Sequence, residues 1–376
     1  MATNASSLVN FGTTGPAVGE FIYAIGPRSA PSFLPADSST TSYLNSSYPA
    51  LAALINTPAT TFSATYPTIS PNTGWIKIAY GNSVFVVTSQ GPNTNAAYSS
   101  DGTTWSNSST ANGNWYGLAF GAGTFVTVSQ GLGGTGTTNA ATTTNGVTWT
   151  TRTLPSTQMW NAVAFGNSTF VAISNAPSNV AGTAAATSAD GITWTARTLP
   201  SSAMWYAITY GNGVFVALSK GSAAATSPDG ITWTARTFPV SSGFPAIAFG
   251  NGVFVAQSGN WLSNLIYTST DGITWTPRPQ ANPVNPYPID LSFGNGIFVA
   301  TGSYGTLYTS LDGVNWINWP TASTSSNFTN AAYGGGVFCA IGGGSAIRAT
   351  IATTATAFQI PVISPITGTT AYVKAT

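Results

Sequence analysis

Two short motifs alternate along most of this 376-residue chain, and that alternation constrains its fold more than any other feature. An apolar run, a Gly-led turn and a second apolar run through Phe recur seven times: IAYGNSVFVV, LAFGAGTFVT, VAFGNSTFVA, ITYGNGVFVA, IAFGNGVFVA, LSFGNGIFVA and AAYGGGVFCA. The first Gly of each turn falls at Gly81, Gly121, Gly166, Gly211, Gly250, Gly294 and Gly334, at intervals of 39 to 45 residues. Between these copies lies a second segment: SSDGTTW, TTNGVTW, SADGITW, SPDGITW, STDGITW and SLDGVNW. A period of roughly 20–50 residues marks a chain whose units each bury their apolar surface against the next.

Each repeat reads as four short strands. Trp205 to Tyr210 is β-rich, Gly211-Asn212-Gly213 tolerates the positive φ of a tight hairpin, and Val214 to Leu218 returns. Both strands are apolar on both faces, which suits inner strands covered by neighbouring sheets. A third strand through Ala224 to Ser227 ends in the Asp229-Gly230 turn. The fourth, Ile231 to Arg236, alternates: Ile231, Trp233 and Ala235 share one face, and Arg236 lies with the Thr residues on a half-solvated outer face. Four antiparallel strands per repeat predict an all-β fold, a β-propeller of four-stranded blades. The abundance of Thr, Gly and Val over Leu, Glu and Lys excludes helical repeats. Seven hairpins predict seven blades, with six as the alternative. The seventh copy lacks the Asp-Gly turn and its Trp, so its outer strand is expected from Thr61 to Tyr66, which would close the ring and cover an open edge.

Composition narrows the function classes. Charged residues make up 5% of the chain, there is no His, and the net charge is +1. One Glu and no His removes most of the usual means for acid–base chemistry and metal binding, so the reading is of no enzyme, no cofactor and no metal. The charge balance offers no footprint for nucleic acid, and no apolar run reaches the roughly 20 residues of a membrane span. The opening MATNASSLVNFG lacks the pattern of a signal peptide, so synthesis in a cytoplasm is expected. Cys339 is the lone cysteine and occupies a position held by Val171, Val216 and Val255 in other copies, which reads as a buried thiol.

The motif Ser-x-Asp-Gly-x-Thr-Trp resembles the Asp-box turn of sialidase-like propellers, one residue shorter than that family's usual spacing. Its turn residues are Asp101, Asn145, Asp190, Asp229, Asp271 and Asp312, and its aromatic residues are Trp105, Trp149, Trp194, Trp233, Trp275 and Trp316. The acid suits backbone N–H groups of its own turn, Gly suits positive φ, and Trp suits a plug between blades. The resemblance implies a structural element away from any catalytic centre. The acids outside these turns are Glu20, Asp37 and Asp290, with no evident pair for glycoside hydrolysis. Arg152, Arg197, Arg236 and Arg278 each follow a box Trp by three residues and read as solvated outer-strand residues, with a glycan-binding ring as the alternative.

The chain ends break the repeat. Gly19-Glu20-Phe21-Ile22-Tyr23, Ala30-Pro31, Leu34-Pro35-Ala36-Asp37 and Tyr48-Pro49-Ala50-Leu51, the last opening a short helix to Ile55, resemble the phage tail-collar family. Phe358-Gln359-Ile360-Pro361 and Ala371-Tyr372-Val373-Lys374-Ala375-Thr376 resemble the close of the same domain. The Cys-Asp-Gly usual after Leu-Pro is reduced here to Ala36-Asp37-Ser38. The expected layout is an arm over 1–18, a collar-like attachment domain from 19–72 with 352–376, and a propeller over 73–351. The resemblance implies a bacteriophage virion structural protein on tail or tail fibre, a homo-oligomer such as a trimer bound to other virion proteins, its propeller outward for recognition of a host-surface glycan or protein. The alternatives are a capsid decoration or head-fibre protein, and a propeller lectin or sialidase-like glycosidase. No receptor-binding residue is identified by sequence.

Overall fold

The computed structural model describes residues 21–24, 33–35, 59–65, 67–70, 74–91, 95–111, 113–241, 243, 246–257, 265–278, 288–319, 327–342, 345–354 and 370–374. The expected arm over 1–18, the helix 48–55, the acids Glu20 and Asp37 and the segment Phe358–Pro361 lie outside the described residues. Two compact units divide the chain: Met1–Phe62 with Ile351–Thr376, and Ser63–Thr350.

The fold is a β-propeller of antiparallel four-stranded blades. Blade 1 is Trp75–Gly81, Val84–Ser89, Asn95–Ser99 and Ser106–Ser109 from inside to outside. Blade 4 (Trp205–Gly211, Val214–Ser219, Ala223–Ser227, Thr234–Thr237) repeats the order. So do blade 5, from Ala246–Gly250 to Thr276–Arg278, and blade 6, from Pro288–Gly294 to Ile317–Trp319. Blade 2 (Trp115–Gly121, Thr124–Ser129, Thr137–Thr143) and blade 3 (Thr169–Asn175, Gly182–Ser188, Thr195–Ala203) are fused: Thr150–Gly166 is the outer strand of blade 2 along its first half and the inner strand of blade 3 along its second. Blade 7 runs Phe328–Gly334, Val337–Gly342 and Ser345–Thr354, and its outermost strand is Ala59–Thr65.

A repeated steric fit arranges these sheets in a cycle. The turn Gly of each inner strand receives the aromatic residue that precedes the turn Gly of the next blade. A Cβ on Gly211 would lie 2.0 Å from the Phe249 ring, and one on Gly334 would lie 2.0 Å from the ring of Tyr80 in blade 1. The intervening pairs, from Gly81 with Phe120 to Gly294 with Tyr333, complete a cycle of seven. Backbone and ring approach so closely there that only Gly leaves room. Each of these aromatic rings also packs across its own hairpin, as in Tyr210–Phe215 with centroids 4.7 Å apart. Second strands such as Val84–Ser89 are buried along their whole length, which explains why they are apolar on both faces.

The other unit shows one described sheet, ordered Phe21–Ala24, Thr370–Lys374, Phe33–Pro35. Phe21 pairs with Val373 and Leu34 also pairs with Val373 from the other side, so the two ends of the chain share a sheet.

Candidate functional site

The two ends of the propeller have different chemistry. At one end, called the turn face, lie the hairpin turns and the Asp motifs. Oδ1 of Asp229 accepts N–H bonds from Ile231 and Thr232 at 2.8 and 2.9 Å, while the Ser227 hydroxyl donates to it and accepts from the Gly230 N–H. Asp101, Asp190, Asp271 and Asp312 repeat this geometry. Asn145 keeps it without charge, accepting from Val147 and Thr148. In Asp101, Asp190 and Asp229 the backbone bonds are the main influence and hold the carboxyl below its ordinary range. In Asp271 and Asp312 burial is the largest single influence and pulls upward, yet the combined hydrogen bonds still lower the carboxyl.

Because the Asp oxygen takes the N–H groups after the Gly, those residues cannot join a strand. The outer strand of blade 4 therefore starts at Thr234, past Trp233, and not at Ile231 as the alternation suggested. Ile231 is 47% exposed for the same reason, and Val147, Ile192 and Ile273 share its fate. The tryptophans do turn inward. Trp233 joins a cluster holding Val171 and Ile173 of blade 3 with Phe215 of blade 4, and Trp149, Trp194, Trp275 and Trp316 likewise bridge their own blade and the preceding one. Trp105 of blade 1 packs with Val337 and Cys339 of blade 7. The buried Cys339 sulfur lies 3.8 Å from the Gly102 carbonyl, where the equivalent Val171 would meet a Cβ on Gly230. Asn side chains with φ near +45° add a further link: Asn212 Nδ2 donates to Gly252 and Thr270 carbonyls of blade 5 at 3.1 and 2.9 Å. On the outer strands the guanidinium Nε of Arg152, Arg197, Arg236 and Arg278 each donates to a Thr hydroxyl of the adjacent strand at 2.9–3.0 Å.

The opposite end, the loop face, holds a cavity of about 380 Å³ among the first halves of the inner strands. Three tiers line it, set by distance from the turn Gly. Three residues before that Gly stands an aliphatic tier: Ile78, Leu118, Val163, Ile208, Ile247, Leu291 and Ala331. Four before, blades 2 to 5 carry Gly117, Ala162, Ala207 and Ala246, while blades 6, 7 and 1 carry Asp290, Asn330 and Lys77. Five before lie Tyr116, Asn161, Tyr206, Thr329 and Ile76, each at a break in strand register. Such bulges leave a residue outside the ladder and redirect its side chain.

The polar arc is tightly bonded. Lys77 forms an ion pair with Asp290, and Asn330 donates to the same Asp290 oxygen at 2.7 Å while accepting the Ile78 N–H at 2.9 Å. The Leu291 N–H serves the other Asp290 oxygen at 2.8 Å. Across the cavity, buried Asn161 accepts from Gln130 and donates to the Trp205 carbonyl. Burial raises the Tyr116 hydroxyl, and burial, then the neighbouring Tyr116 and Asp290, raise that of Tyr206; both stay neutral donors at ordinary pH. Lys220 lies 5.1 Å from the Tyr206 ring centroid, its ammonium lowered by burial. Among the described residues Asp290 is the one carboxylate lining the cavity, and no three His, Cys, Asp or Glu side chains gather anywhere.

Sequence reasoning noted Asp290 but missed its partners. The signal was present in the repeats: at the fourth position before the turn Gly, four copies have Gly or Ala and three consecutive copies around the ring do not.

No protein family and no curated protein sequence matches this chain. Solved structures do match its fold. A virginiamycin B lyase from Staphylococcus aureus aligns at 14% identity with a TM-score of 0.66, over 78% of this chain and 100% of that one. YCF48 bound to D1 peptide aligns at 17% identity and TM-score 0.56, over 76% and 96% of the two chains. A computationally designed protein, Ika8, aligns at 10% identity and TM-score 0.51. The lyases correct one expectation, that this chain is not an enzyme: their fold carries catalysis, so a scarcity of His and Glu over the whole chain does not exclude it. At these identities the likeness establishes the β-propeller fold and assigns no activity.

Proposed function

We propose that this chain is a bacteriophage virion structural protein, a tail or tail-fibre component whose propeller is displayed outward and recognises a host-surface glycan or protein. The observation that carries the recognition half is the loop-face cavity. In a chain with 5% charged residues, Lys77, Asp290, Asn330, Asn161, Tyr116 and Tyr206 converge on one cavity. A concave site with a few convergent polar groups and raised hydroxyls is the default place for a ligand. The virion half rests on the collar-like motifs at both ends, and it is supported by the sheet in which Phe21–Ala24 pairs with Thr370–Lys374. In this reading the collar-like segments dock the protein, as a homo-oligomer, on other virion proteins.

The test has two parts. Mass spectrometry of purified particles should find the chain, and immunogold labelling should place it on the tail. Absence from particles overturns the virion reading, and hundreds of copies on the head would replace tail by capsid decoration. Fluorescent full-length protein should label cells of the propagating host; failure to do so overturns recognition.

A further inference from the structure

We infer that the loop-face cavity takes a single neutral pyranose unit of a glycan, held by its vicinal hydroxyls against Lys77 and Asp290. This deepens the recognition reading and rests on it.

Charge is the first argument. Lys77 and Asp290 neutralise one another, with side-chain exposures of 30% and 15%. A ligand of net charge would have to break this half-buried pair or sit uncompensated beside it, and separating such a pair is costly. A neutral ligand needs a donor and an acceptor close together. Asp290 already accepts from Lys77, Asn330 and the Leu291 N–H, which leaves one of a carboxylate's roughly four acceptor sites, and the Asp290 contact uses one of three ammonium donors. Two adjacent sugar hydroxyls, each both donor and acceptor, match that arrangement.

Shape is the second. At about 380 Å³ the cavity lies toward the small end of the ligand-pocket range, about 300–1,000 Å³, so it suits one ring. A pyranose is amphipathic, with a C–H face and a hydroxyl rim. The aliphatic tier answers the first and the polar arc the second. Space comes from the short, partly exposed side chains of Ala162 and Ala207, which leave the sector beside Tyr116 and Tyr206 unfilled. Those aromatic residues supply ring faces for C–H stacking and neutral hydroxyl groups, the Tyr116 hydroxyl already donating to Gln90 at 3.4 Å. A peptide would want an extended groove, and a cavity ringed by strand starts offers none.

The test uses the full chain. Saturation-transfer NMR is run with glucose, galactose, mannose and N-acetylglucosamine, and with glucuronic and N-acetylneuraminic acids as charged controls. At least one neutral sugar should show transfer and the acids none. Ala207→Leu should abolish it, Asp290→Asn should weaken binding about tenfold or more, and Tyr206→Phe a few-fold. Thermal melts check folding; should Ala207→Leu fail to fold, Tyr206→Phe, which keeps the ring, decides. No transfer from any neutral sugar, equal transfer from the acids, or transfer that the variants leave unchanged overturns the inference. Host-cell labelling separates the two readings. If wild type labels cells and the folded variants label them equally, the cavity is not the recognition site, a peptide-binding surface included, while recognition stands. If sugars bind but cells are not labelled, the cavity chemistry is upheld and host recognition is overturned.

Discussion

The two faces of the propeller are made from the same seven inner strands, yet they differ in how they treat repetition. On the turn face, blades 1 to 6 repeat one another, with Asp or Asn capping its own backbone and Trp wedging toward the preceding blade, and around all seven an aromatic ring covers the preceding Gly. On the loop face the blades diverge, with small residues on one arc and Lys77, Asp290 and Asn330 on the other. Repetition serves stability because each copy meets the same neighbour. A binding site needs the opposite, since a ligand without sevenfold symmetry must be met by unequal walls.

Substitutions can break or sharpen this contrast. The largest effect is expected at the ring contact of the turn face. Gly211→Val places a Cβ 2.0 Å from the Phe249 ring and should cost about 4 kcal/mol or more, or abolish folding, as read by urea unfolding. On the loop face, Tyr206→Phe should change the unfolding free energy by under about 1 kcal/mol, although it alters binding. If both moved stability equally, the division of labour would be wrong.

Next in size is the plug. Trp194, 9% exposed and clustered with Val126 and Val128 of blade 2, should cost about 3–5 kcal/mol when replaced by Ala. Asn212→Ala removes two inter-blade hydrogen bonds and places Ala at φ +45°; about 2 kcal/mol is expected, and Asn212→Gly, which relieves the backbone term, should lose less.

Acid should act selectively on the turn face. The five box carboxyls are lowered in the folded chain, so the unfolded chain binds protons more readily there. Their contribution is fully present above the unfolded Asp value of about 3.9 and is lost as pH falls through the lower folded values. Urea midpoints should therefore drop below about pH 4, and replacing all five Asp by Asn, the residue blade 2 already uses, should flatten that drop. The smallest effect belongs to Cys339→Val, which restores the residue of the other copies at a buried site and should shift stability by less than about 1 kcal/mol.

Much of the turn face was legible in the sequence because its chemistry is local. Ser227, Asp229, Gly230 and Trp233 lie within seven residues, so the turn and its hydrogen bonds can be written from their spacing. Even there alternation misled: Ile231 reads as an inward strand residue and is exposed, since the Asp229 oxygen takes the N–H group that a strand would use. The loop-face cavity was scarcely legible. Its polar arc draws on residues 77, 290 and 330, and their departure from Gly or Ala carries meaning only once the copies are superposed on a closed ring.

The amino-acid sequence by itself determined that this chain is a repeated β-protein with Gly-Asn and Asp-Gly turns and a Trp for each completed blade. Those properties depend on neighbours a few residues apart and recur down the chain. The tertiary structure decided the rest. Ring closure sets Tyr80 of blade 1 on Gly334 of blade 7, and so brings Lys77 across 213 residues to Asp290. An ion pair of that separation has no local signature, because the force that makes it is the packing of the blades around the ring and not the preference of any segment.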